Sequence, residues 1–196
     1  DAHAPLAAPV CVAPRETGIE YEVDDDAARH RLILVTNWQQ DGKADDFQIV
    51  SAPVPTGSGT KNDWQSLRPH EAGALVLDAL PFENHMVALI RQNALPFIEV
   101  TNIESGTSAR IAFDEEAYDV SLGGMAEYAT ANLRFTYASM TTPTQTFDYD
   151  MASGTRVLRK TQNVPSGHDA ADYITRRITA TGHDGAQIPV SLLYHK

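Results

Sequence analysis

The chain has 196 residues, 42% of them hydrophobic and 21% charged, with a formal net charge of −11. That apolar share suits packed cores rather than disorder, the acidic balance argues against nucleic acid, which requires a basic patch, and no apolar run approaches the length of a membrane span. The single cysteine, Cys11, excludes an internal disulfide and reads as a small strand residue between Val10 and Val12; a reducing, cytoplasmic setting fits it.

Residues 1–14 start without Met and hold no basic segment followed by an apolar core. No signal peptide is therefore expected, and the chain is expected to begin inside a longer protein. Val10 to Val12 is predicted to be the outermost strand of a sheet whose remainder lies upstream. Ile19 to Val23 follows, with Ile19, Tyr21 and Val23 alternating with polar residues as in a half-buried strand. Leu32 to Val35 is apolar at consecutive positions, as in a strand buried on both faces. Asp46-Phe47-Gln48-Ile49-Val50 comes next, then a turn with Gly57 and Gly59, then the more polar Trp64 to Leu67, suited to a sheet edge that meets water.

The same order returns twice. Leu75 to Leu80, Met86 to Ile90, Pro96 to Val100, Gly106 and Ala109 to Phe113 form the second unit. Tyr118 to Leu122, Leu133 to Tyr137, Thr146 to Asp150, Gly154 and Thr155 to Lys160 form the third. Phe47, Phe97 and Phe147 mark the repeat at a constant step of fifty. Four strands in about fifty residues is the arrangement of a propeller blade. Three consecutive four-stranded antiparallel blades are predicted, with the three Phe at equivalent positions on their third strands. Three blades cannot close a ring. Leu34, Leu89 and Phe135 are therefore expected on apolar faces left open by the missing neighbours, and the chain is expected to associate with itself or with the missing propeller and hydrolase parts.

After Thr161 the pattern stops. Asn163-Val164-Pro165-Ser166-Gly167-His168-Asp169 reads as a linker. Tyr173 to Thr181 and Gln187 to Tyr194 flank Gly182-His183-Asp184-Gly185-Ala186, and Asp-Gly between two strand-like runs is a hairpin signal.

Leu122-Gly123-Gly124, Leu133 to Pro143 and Phe147-Asp148-Tyr149-Asp150 resemble the oligopeptidase B branch of the prolyl oligopeptidase family, as do Ala171-Asp172-Tyr173, Asp184-Gly185 and Ile188 to Leu192. The resemblance runs from about Arg15 to Lys196. It implies an all-β chain: part of a seven-bladed β-propeller over residues 1–164, then, over 165–196, the linker and first β-hairpin of an α/β-hydrolase domain. It further implies a serine oligopeptidase that cleaves short peptides after Arg or Lys, with the propeller gating access. The family's Ser, Asp and His, and the acidic residues that recognise a basic side chain, lie downstream of this pattern. None is carried over to a position here, so the chain alone is expected to be inactive.

The residues agree with that absence. A hydrolase of this kind carries its serine in a G-x-S-x-G elbow; Thr56-Gly57-Ser58-Gly59-Thr60 has the wrong spacing and reads as a turn. His70-Glu71 lacks a second His four residues on, and no glycine-rich phosphate loop with a following Lys is present, so neither a metal nor a cofactor is expected. Asp24-Asp25-Asp26, Asp45-Asp46 and Asp114-Glu115-Glu116 read as solvated loops near strand ends, with steering of basic peptides as the alternative. The connections between second and third strands hold Arg91, Asn93, Thr141 and Thr142. These four are candidates for a surface that meets the hydrolase domain, and equally for plain turn chemistry. A free-standing repeat scaffold for protein–protein interaction is the competing function; the terminal hairpin speaks against it.

Overall fold

The computed structural model describes residues 5–124 and 127–196. Among the described residues, fourteen strands form three four-stranded antiparallel sheets and one two-stranded sheet, and helix is limited to 3-10 turns at 27–29, 61–63 and 170–172. The chain divides into two compact units, Asp1–Ala72 and Gly73–Lys196.

The first unit holds β1 (Tyr21–Asp26), β2 (Arg31–Gln39), β3 (Gly42–Pro53) and β4 (Gln65–Arg68), ordered as in the chain. β2 is buried from Ile33 to Asn37, as its unbroken apolar run requires. Asp26 ends β1 fully buried and bridges Arg29 at 3.1 Å and Arg31 at 2.7 Å. Leu34, Val50, Ala52 and Trp64 pack with Ala13, and Tyr21 and Trp38 set their rings edge-on to Trp64.

Val10 to Val12 pairs with no strand among the described residues. The Cys11 carbonyl instead accepts the Gly59 N–H at 3.0 Å. A Cβ on Gly59 would stand 2.1 Å from the Val12 carbonyl oxygen, so this contact demands glycine. Gly59 thus belongs to a loop that holds the N-terminal segment, while a Cβ on Gly57 would meet open space.

The second unit holds β5 (Ala74–Pro81), β6 (His85–Gln92), β7 (Leu95–Asn102) and β8 (Ser108–Arg110), then β9 (Tyr118–Leu122), β10 (Asn132–Ser139), β11 (Gln145–Asp150) and β12 (Arg156–Thr161). These two sheets pack face to face. Phe82, Val87, Ile98, Val100 and Ile111 meet Val120, Leu133, Phe135, Tyr137, Tyr149 and Met151 in one cluster. Phe135 is fully buried, stacked on Phe147 at 5.4 Å and edge-on to Phe113 at 5.8 Å. Burying such a ring contributes roughly 1.5–3 kcal/mol.

The expected open faces are not where the sequence places them. Leu34 and Phe135 are fully buried and Leu89 is half-buried. Face-to-face packing of the second and third sheets covers Phe135, and Ala13 and Trp64 help to cover Leu34.

The fifty-residue step also holds less strictly in space than in sequence. All three Phe lie on the third strand of a sheet. Phe97 pairs with Ile90 and Phe147 with Phe135. Phe147 faces the second sheet, and Phe97 lies on the face of β7 opposite Ile98 and Val100, which face the third sheet; the two positions correspond. Phe47 does not. Its φ is +59°, and it falls where the β2–β3 ladder jumps from Thr36–Gln48 to Trp38–Lys43. A bulge with left-handed backbone takes it out of register.

Charge is sorted along each sheet. The first strands β1, β5 and β9 carry Glu22, Asp24, Asp25, Asp26, Asp78 and Asp119 and no Lys or Arg. The last strands β4, β8 and β12 carry Arg68, Arg110, Arg156, Arg159 and Lys160 and no Asp or Glu.

β13 (Tyr173–Thr181) and β14 (Gln187–His195) pair antiparallel over their whole length. Gly182 N–H donates to the Ala186 carbonyl, Asp184 accepts the Ala186 N–H, and Gly185 takes φ +85°, as the Asp-Gly signal implies. Ile178, Ile188, Leu192, Leu193 and Tyr194 are exposed on this hairpin.

Candidate functional site

The four candidate residues occupy two connections of the second unit. Arg91 and Asn93 lie at the β6–β7 turn and both are exposed. Asn93 and Ala94 have φ of +52° and +59°, the left-handed pair that a tight two-residue hairpin turn needs. Asparagine tolerates that backbone; alanine is strained in it. The left-handed backbone at Asn93 suits turn chemistry.

Thr141 and Thr142 behave differently. They sit in the β10–β11 loop, Thr141 buried and Thr142 half-buried. The Ser139 hydroxyl accepts both of their backbone N–H groups, at 3.0 and 2.8 Å. Their own hydroxyls donate to the two oxygens of Glu115, Thr141 to Oε2 at 3.0 Å and Thr142 to Oε1 at 2.5 Å. The Tyr137 hydroxyl donates to Oε1 at 2.9 Å. Burial alone would raise the Glu115 carboxyl; the hydroxyls of Ser139, Thr142, Tyr137 and Thr141 outweigh it and hold the group below the usual carboxylate range. Burial, then the bond to Glu115, pushes the Tyr137 phenol well above its ordinary value.

The linker docks on the same loop. The Nε2 of His168 lies 2.5 Å from the Thr141 carbonyl oxygen, to which it donates. His168 stacks on Tyr173, and Tyr173 meets His195 edge-on at 5.4 Å. Glu116 reaches the hairpin directly: its Oε1 accepts from Arg176 at 3.1 Å and its Oε2 from the Arg177 backbone N–H at 2.8 Å. The structure therefore brings Thr141 and Thr142 together with Glu115, Glu116 and His168, and leaves Arg91 and Asn93 open to solvent. Sequence reasoning treated Asp114-Glu115-Glu116 as solvated charge. The only available signal was its place just before β9, and nothing local distinguishes a solvated carboxylate from one that collects three hydroxyls from residues 22 to 27 positions away.

This arrangement ties the β10–β11 loop, the 114–116 segment, the linker and the start of the hairpin together. A family model described as the N-terminal β-propeller domain of prolyl oligopeptidase matches residues 1–162. The chain belongs to the prolyl oligopeptidase family. Within this family it is similar to dipeptidyl aminopeptidase BI of Pseudoxanthomonas mexicana, 37% identical over 98% of the chain and 26% of that protein. It is also similar to protease 2 of Moraxella lacunata, 26% identical over 99% of the chain and 26% of that protein. In structure it resembles oligopeptidase B from Leishmania major with a TM-score of 0.80 and 28% identity, over 94% of the chain and 26% of that protein. The chain thus spans about a quarter of the length of these relatives. The three four-stranded sheets lie within the residues matched to the β-propeller domain, and the hairpin β13–β14 lies beyond them.

Proposed function

We propose that this chain is the C-terminal part of the propeller of a serine oligopeptidase, residues 1–164, followed at 165–196 by the linker and first hairpin of its hydrolase domain. The observation that carries the reading is the boundary. The propeller match ends at residue 162, and a hairpin with an exposed apolar face begins eleven residues later, at Tyr173. The three four-stranded sheets are blades of a seven-bladed ring. The Ser, His and Asp that perform acyl transfer come from the rest of the polypeptide. The hairpin's apolar face and the sheet faces are covered there by the remaining propeller and hydrolase, or, in the isolated chain, by a second copy.

The substrates are short peptides cut after Arg or Lys, admitted by the propeller, which excludes folded proteins. The exposed carboxylates of the first strands, Glu22, Asp24, Asp25 and Asp119, support this choice, since a field of that sign favours basic peptides. The β6–β7 and β10–β11 connections, with Arg91, Asn93, Thr141 and Thr142, face the hydrolase; the docking of His168 on Thr141 supports the second of these. The exposed, unpaired Cys11 supports a cytoplasmic site of action.

A second reading is favoured by the 37% identity to a dipeptidyl aminopeptidase: release of dipeptides from free N-termini. Both readings are tested on the intact protein with two reporters, an N-blocked peptide with Arg before the cleaved bond and a free dipeptide conjugate. Turnover of the blocked Arg reporter, abolished by a serine-directed fluorophosphonate, is the expected result. Turnover of the free dipeptide conjugate alone selects the second reading. Turnover of neither overturns both and leaves the scaffold.

A further inference from the structure

We propose that Glu115 and Glu116 form a two-sided clasp that fixes the hairpin β13–β14 to the third sheet, so that the chain leaves this sheet along a set direction and not through a free tether. The clasp stands on contacts within this chain; its meaning for domain motion rests on the reading above.

Two adjacent carboxylates do different work. Glu115 turns into the sheet, where it gathers the hydroxyls of Tyr137, Thr141 and Thr142 and closes the β10–β11 loop. That closure presents the Thr141 carbonyl to His168, so the middle of the linker is held. His168 passes the constraint through Tyr173 to His195, the pair that ends the hairpin ladder. Glu116 turns outward and takes the side chain of Arg176 and the backbone N–H of Arg177. A hairpin held at one point can swing; held at Tyr173 and again at Arg176–Arg177 it is restrained in direction. Between the anchors, Asp169 accepts the Ala171 N–H at 2.8 Å, and the Lys196 N–H donates to the Asp172 carbonyl at 2.9 Å, so the linker is itself folded. Glutamates at 115 and 116, side by side on a loop, point to opposite partners because each is claimed by a separate set of donors. The bonds to both carboxylates are charge-assisted, stronger at the half-buried Glu115 than at the exposed Glu116.

The test is hydrogen–deuterium exchange on the intact protein, comparing wild type with Glu115→Ala, Glu116→Ala and His168→Ala. Residues 163–181 are expected to lose roughly tenfold protection in each variant, with β5–β7 unchanged, because local opening then no longer breaks these bonds. Unchanged exchange in 163–181 in all three variants overturns the clasp. So does acceleration spread equally over β5–β7, which would make these residues general stabilisers. Glu116 is exposed, so its variant tests the outward anchor even if Glu115→Ala fails to fold. Peptidase turnover measured alongside reports on the proposed activity and leaves the exchange result independent of it.

Discussion

The hydroxyl of Tyr137 donates to Glu115 across 2.9 Å, and the two groups are shifted in opposite directions, the carboxyl down and the phenol up. Each shift favours the protonation state that keeps the bond: an ionised acceptor and an intact O–H donor.

For Glu115 the folded value lies below the unfolded one, which is about 4.3. Its contribution to stability is therefore fully present above that unfolded value and is lost as pH falls through the lower folded one. Urea unfolding of wild type and Glu115→Gln between pH 6 and pH 2 should show a stability gap that is constant at the upper end and closes at the lower. A gap that stays constant down to pH 2 would mean that Glu115 is not a linked group. For Tyr137 the sign reverses: its contribution is present below about pH 10 and is lost only in stronger alkali.

Asp26 is fully buried against Arg29 and Arg31, whose side chains are 30% and 25% exposed. Asp26→Asn keeps the shape and removes the charge that both guanidiniums face. Breaking a buried pair from one side costs about 3 kcal/mol or more. Chemical denaturation should register a loss near that size, and Arg29→Gln, which leaves Arg31 in place, should cost less.

The three Phe of the repeat should not respond alike. Phe97→Ala empties a buried site beneath the Arg110 guanidinium, 3.8 Å from the ring centroid, and should cost about 3 kcal/mol. Phe47→Gly removes a half-buried ring but relieves φ +59°, so its cost should be much smaller. Equal losses at 47 and 97 would restore the strict repeat and contradict the bulge.

At the β6–β7 turn, Ala94→Gly should stabilise the protein by up to about 1 kcal/mol, because glycine adopts φ +59° without the Cβ penalty that alanine bears. A lower melting temperature would show that the turn is not left-handed at Ala94.

The exposed hairpin residues Ile178, Ile188, Leu192 and Tyr194 share one face of the hairpin, whereas the sequence had placed the open surface on Leu34, Leu89 and Phe135. Light scattering on the isolated chain should find association that Leu192→Lys with Ile188→Lys weakens. A monomer at high concentration for the unaltered chain would contradict this.

Sequence alone determined the order and pairing of the strands. A run such as Leu32 to Val35, the turn signals near Gly106 and Gly154, and Asp184-Gly185 between two apolar stretches are local facts, and antiparallel neighbours joined by short turns are decided by local chemistry. The motifs after Tyr118 were specific enough to point to the family that the 1–162 match then established. What only the tertiary structure decided are relations between distant residues. Phe47 keeps its place in the fifty-residue step yet leaves the ladder, because a bulge depends on the partner strand. The Cys11 carbonyl takes the Gly59 N–H, a contact that nothing in Val10 to Val12 announces. Glu115 has the composition of a solvated loop, and it became an anchor because the fold delivers Tyr137, Thr141 and Thr142 to one carboxylate from more than twenty residues away. A hydrogen bond acts over about 3 Å, so which donors reach an acceptor is set by packing and is not written in the residues beside it.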